Sequence, residues 1–88
     1  MSENISRFLD NEGKIKIWPS KIEKKFEVLK YLVEKFEFER FYTEQEINSI
    51  IVGWHTFNDY FLLRRGLIEA GLLSRTRSGS KYWREERT

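Results

Sequence analysis

The sequence predicts a mainly helical fold with a small β-hairpin: an N-terminal extended arm, three helices and a C-terminal two-stranded hairpin. Three observations carry this. Two Ser/Thr-x-x-Glu signatures, Ser20 to Glu23 and Thr43 to Glu46, each precede apolar residues at helical spacing, the pattern of a capping box that satisfies two orphan backbone N–H groups. A third apolar run ends just before Gly71. Beyond it, in "GLLSRTRSGSKYWRE", the period changes from helical to alternating.

The arm is assigned to residues 1–19. Asp10-Asn11-Glu12-Gly13 is a turn signal, and in "KIKIW" Ile15 and Ile17 alternate with Lys14 and Lys16 as in a half-buried strand. Pro19 holds Trp18 out of helical conformation. Helix 1 then starts with Ser20 as N-cap and runs to about Phe36, with Ile22, Phe26, Leu29, Leu32, Val33 and Phe36 on one face. Phe41-Tyr42 forms a short extended piece. Helix 2 follows the Thr43 cap, with Ile47, Ile50, Ile51 and Trp54 on its apolar face and Gly53 near its end. Helix 3 is expected from Thr56 or Asn58, with Asp59 in the capping pattern and Tyr60, Leu63, Leu67 and Ile68 as its inner face. Gly66 reads as a tolerated surface glycine or a close backbone approach. Gly71 is placed as the left-handed residue that ends the helix, with Leu72 returning to Leu67. Leu73 to Arg77 and Ser80 to Arg84 form two strands around a Ser78-Gly79 turn, setting Arg75 opposite Tyr82 and Ser74 opposite Trp83. Which aromatic faces inward stays open, because a one-residue slip exchanges the faces. The "EERT" tail is expected to fray.

A chain of 88 residues with 40% hydrophobic and 16% aromatic content makes one domain, residues 20–88, with the arm attached. The absence of cysteine removes disulfides and thiolate chemistry and fits a cytoplasmic protein. No apolar run has membrane-spanning length, and the N-terminus lacks a secretory pattern, so no membrane partner is expected. The net charge of +2 is unevenly spread: residues 1–61 hold nine Lys/Arg against eleven Asp/Glu, whereas residues 62–88 hold seven against three. The C-terminal third is thus the candidate footprint for a polyanion. His55 is the sole histidine and has no activated partner, which makes it a capping or packing residue. No catalytic residue, cofactor or metal site is expected, because neither a ligand set nor a glycine-rich phosphate loop is present.

Three helices followed by a hairpin, with an extended piece before the second helix, is the element order of a winged helix-turn-helix. The strings "FLD…G…WPSK", "YTEQEIN" and "LLRRGLIEAGLLSRTRSGSKYWR" further resemble the bacterial domain-of-unknown-function family numbered 2087, from Phe8 to Arg84. Trp18, Pro19, Tyr42, Asn48, Arg64 and Tyr82 are among the matching positions. The resemblance implies a winged-helix-like domain and members described as transcriptional regulators, occurring alone or joined to a helix-turn-helix domain.

In a helix-turn-helix the second helix of the pair enters the major groove. Here that helix offers Thr56, Asn58, Arg64 and Arg65 to double-stranded DNA, while Arg75, Arg77, Lys81 and Arg84 of the hairpin are placed for phosphates. Asp59, Tyr60 and Phe61 sit awkwardly on such a surface, and one of the two aromatics is assigned to the core. Arg64 and Arg65 are alternatively partners for Glu side chains of helix 1 or 2. The competing function is a protein–protein interaction module that uses helix 3 and the arm, with a regulatory protein or a second copy as partner. An aromatic platform for single strands is the weakest reading, because adjacent Tyr82 and Trp83 must face opposite sides.

Overall fold

The computed structural model describes residues 3–85. Its elements are a short 3-10 helix (Glu3–Phe8), α1 (Ile22–Val33), α2 (Glu44–Val52), α3 (Tyr60–Glu69), β1 (Leu73–Arg75) and β2 (Tyr82–Arg84). Three helices and an antiparallel hairpin give the winged helix-turn-helix architecture. Of the "EERT" tail expected to fray, Glu85 is held, its N–H donating to Leu72 O at 3.0 Å, while residues 86–88 lie outside the described residues.

The strongest local signals act as expected. At α2 the Thr43 side chain accepts from the Glu46 N–H at 3.1 Å, and the Glu46 carboxylate accepts from the Thr43 N–H at 2.9 Å. At the end of α3 the Gly71 N–H donates to Ile68 O and the Leu72 N–H to Leu67 O, both at 3.0 Å, with Gly71 at φ 77°. These two bonds are a complete Schellman motif. Nothing lies within 4 Å of where a Cβ on Gly71 would sit. Gly71→Val is therefore expected to cost about 1–2 kcal/mol through backbone strain alone. Chemical denaturation should show Gly71→Asn closer to the parent, and an unchanged midpoint for Gly71→Val would refute the assignment.

The hairpin has the expected register, Arg75 opposite Tyr82 and Ser74 opposite Trp83. Tyr82 is the inward aromatic, 2% exposed, while Trp83 is half-buried on the other face. The strands are shorter than expected. The tip is not a two-residue Ser78-Gly79 turn: the Gly79 N–H donates to Thr76 O, the Thr76 N–H to Lys81 O, and Thr76 Oγ1 accepts from the Ser80 and Lys81 N–H groups. The Thr76 hydroxyl thus replaces ladder bonds within the tip. Tyr42 exchanges both backbone bonds with Tyr82 at 2.8 Å, which adds a third strand position beside β2.

Other boundaries shift. The Ser20 box does not form. Lys21 is the N-cap of α1, with no side-chain cap bond, so the third helical residue is Lys24 rather than Glu23. Ile22 is consequently 80% exposed, and the α1 core stripe is Val28, Leu29, Leu32 and Val33, with Phe36 following in a turn. Helix α3 starts later than expected. Asn58 takes positive φ (58°), which breaks helical continuity, and Asp59 itself is the cap, accepting from the Leu62 N–H at 3.2 Å. Gly66 is neither a surface glycine nor a backbone contact: a Cβ there would meet the Leu29 methyls at 3.3 Å, so its small size lets α3 approach α1.

The arm is part of the core. The 3-10 helix buries Ile5 and Phe8, Leu9 bridges Ile15, and Ile15 is fully buried. The Ile15 N–H donates to Trp54 O at 2.8 Å, and Ile15 O accepts from the Thr56 N–H at 3.0 Å. This parallel bridge stitches the arm to the turn between α2 and α3. The Tyr31 hydroxyl closes the Asp10–Gly13 turn by donating to Gly13 O at 2.6 Å.

Candidate nucleic-acid interface

The turn joining α2 to α3 decides how α3 is presented. Its anchor is His55, 6% exposed. The ring's Nδ1 lies 2.7 Å from Ile51 O, and Nε2 accepts from the Asp59 N–H at 2.8 Å, so Nδ1 carries the proton and donates. One imidazole therefore links the end of α2 to the cap of α3. Both ring nitrogens are used by the backbone, as expected of a capping and packing histidine. The Asp59 carboxylate turns away from the ring to cap Leu62.

Leu63 and Leu67 point α3 into the core, which leaves Tyr60 and Phe61 exposed at 39% and 55%. Neither aromatic is core, contrary to the expectation for one of them. Tyr60 is the first residue of the helix, one turn ahead of Leu63. The outer face of α3 and the hairpin enclose an open cleft of about 360 Å³, lined among others by Glu44, Phe61, Arg64, Arg65, Arg75 and Tyr82.

Of the residues expected to meet DNA, Arg64, Arg65 and Arg75 come together in this cleft. Arg64 is braced: Nη1 donates to Asn48 Oδ1 at 2.6 Å and lies 3.4 Å from a Glu44 carboxylate oxygen. Arg65 pairs at 3.0 Å with Glu69 of its own helix rather than with helix 1 or 2. Arg77 and Lys81 are exposed at the hairpin tip, outside the cleft, and Lys81 Nζ lies 5.0 Å from the Phe41 ring centroid. Arg75, Arg77 and Lys81 have no ion pair among the described residues. Thr56 and Asn58 precede α3 and do not line the cleft, since the Thr56 N–H is bonded to Ile15 and Asn58 occupies the left-handed turn position. Arg84 turns to the far side, donating to Phe36 O at 3.0 Å and stacking on Phe38.

Glu44, Glu69 and the Tyr82 hydroxyl are cleft groups that sequence reasoning missed. The hydroxyl donates to Glu44 Oε1 at 3.1 Å, a contact between residues 38 apart with no periodic signal to betray it. Burial first, and the Glu44 hydrogen bond second, push the Tyr82 phenol above its ordinary value.

A family model described as "Uncharacterized protein conserved in bacteria (DUF2087)" matches residues 14–84, most of the chain and all of the cleft. The chain belongs to this family. The DUF2087 match covers the three helices and the hairpin and begins one residue before Ile15. No curated protein and no solved structure matches the chain significantly. Among the described residues no helix is long and apolar enough to cross a membrane, and no cluster of metal-ligating side chains occurs.

Proposed function

We propose that this DUF2087 domain binds duplex DNA as, or within, a cytoplasmic bacterial transcriptional regulator. In this reading α3 faces the major groove and the hairpin lies over flanking phosphates, with no catalytic step, cofactor or metal. The observation that carries it is the convergence of Arg64, Arg65 and Arg75 between α3 and the hairpin, with Arg77 and Lys81 at the adjoining tip. Phosphate contacts position such a domain, and base contacts then specify the site. Phe61 does not oppose this reading, because an exposed phenyl can contact a thymine methyl in the major groove.

Log affinity is expected to fall with log salt at a slope near −0.9 per neutralised phosphate, so about four contacts give roughly −3.6. The triple variant Arg75→Ala, Arg77→Ala, Lys81→Ala should flatten that slope by up to about 2.7 while retaining the parent melting temperature. No binding of the folded parent to mixed-sequence duplex at low salt would remove the proposal. The second reading, a protein–protein module, is favoured by one observation, the adjoining exposure of Tyr60 and Phe61. It predicts that Phe61→Ser abolishes association with a protein partner or second copy, whereas the triple hairpin variant does not.

A further inference from the structure

We propose that the cleft between α3 and the hairpin is a site for a DNA backbone phosphate, and that Glu44 occupies it internally until the phosphate arrives. The inference rests on the DNA-binding reading and names the residue that sets the selectivity of the same surface.

Glu44 stands where an oxyanion would. One of its carboxylate oxygens accepts from the Tyr82 hydroxyl at 3.1 Å and the other lies 3.4 Å from Arg64 Nη1. A Cβ on Gly79 would sit 3.7 Å from Glu44 Oε1 and 3.3 Å from Arg75 Nη1, so the carboxylate and the second guanidinium flank the same point of the hairpin turn. A phenol and two guanidiniums around an anion are the donors that recognise phosphate. Glu44 is also free to leave. Its side chain is about half exposed (48%), and the α2 cap uses Thr43 and Glu46 instead. The Asn48 bond keeps Arg64 aimed into the cleft after Glu44 has swung away. Weak polyanions then face a competitor already in place, while a duplex that engages the hairpin tip displaces it.

Glu44→Gln retains an oxygen for the Tyr82 hydroxyl and removes the charge. Glu12→Gln, an exposed carboxylate that does not line the cleft, controls for net charge. Duplex binding is titrated over a salt series for the parent and both variants, with melting temperatures to confirm folding. Glu44→Gln is expected to bind about three- to ten-fold tighter at low salt, by removal of one nearby repulsive charge. Its slope should stay near the parent's, because the same phosphate is neutralised in both complexes. Glu12→Gln should stay within about two-fold of the parent, as expected for a remote screened charge.

A parent that binds duplex while Glu44→Gln gains nothing, or gains no more than Glu12→Gln, overturns this inference and leaves the DNA-binding reading standing. No duplex binding by any of the three overturns both. Inorganic phosphate perturbing the Arg64 and Arg75 resonances of Glu44→Gln, with no gain on duplex, would assign the cleft to free phosphate and overturn the backbone assignment.

Discussion

Removing residues 1–13 is expected to cost about 3–6 kcal/mol of stability, although the family match covers only residues 14–84. The deleted stretch contributes Ile5 and Phe8, 6% and 7% exposed, to the same core as the helices. Burial of two such side chains is worth about 1.5–3 kcal/mol each, hence about 3–6 kcal/mol together. It also carries Phe8 O, which accepts from the Lys16 N–H at 2.8 Å, and Gly13 O, which holds Tyr31. A domain of this size has a total stability of only about 4–13 kcal/mol. Urea denaturation of residues 14–88 beside the full chain checks this, and the full-length double variant Ile5→Ser, Phe8→Ser should reproduce most of the loss. A truncated chain with the parent's midpoint would mean that the N-terminal segment packs without stabilising.

His55→Leu is expected to cost about 2 kcal/mol, because the Asp59 N–H loses its acceptor while the leucine still fills the space. Ile51 O keeps a partner in the Trp54 N–H at 2.9 Å, so the cost falls mainly on the α3 side. For a domain of this length that corresponds to a fall of about 10 °C in melting temperature. The variant should also weaken the hydrogen-exchange protection of the first turn of α3 more than that of α1. Equal loss across both helices would indicate a packing defect rather than a lost cap.

How much was legible in the sequence divides by range. Thr43 with Glu46, Gly71 with Leu72, and the Arg75–Tyr82 register are each specified by residues close along the chain. Their chemistry, a hydroxyl cap, a positive φ and an alternating period, leaves a direct trace in the sequence. The Ser20 box has the same trace but fails, because a cap shifted by one residue puts Lys24 where Glu23 was needed. Chemical type alone does not set the start of a helix. The sequence also places the start of α3 too early: Thr56 resembles a cap, but Asn58 at positive φ breaks the helical path and leaves Asp59 as the cap. Glu44 of α2 and Tyr82 of β2 reach the cleft, and Asn48 of α2 reaches Arg64 of α3, from elements that only the packed fold brings together. The cationic residues were visible as a composition bias. That Arg84 turns away to Phe36 while Arg75 turns in was not, because the bias has no direction.

The bridge at Ile15 gives the molecule a particular cooperativity. Its backbone holds both Trp54 and Thr56, on either side of His55. The segment before α1, the α2–α3 turn and the start of α3 are thereby one opening unit. Local unfolding of the N-terminus would release the turn with it. The start of α3 is therefore tied, across some 40 residues of sequence, to the segment that precedes α1.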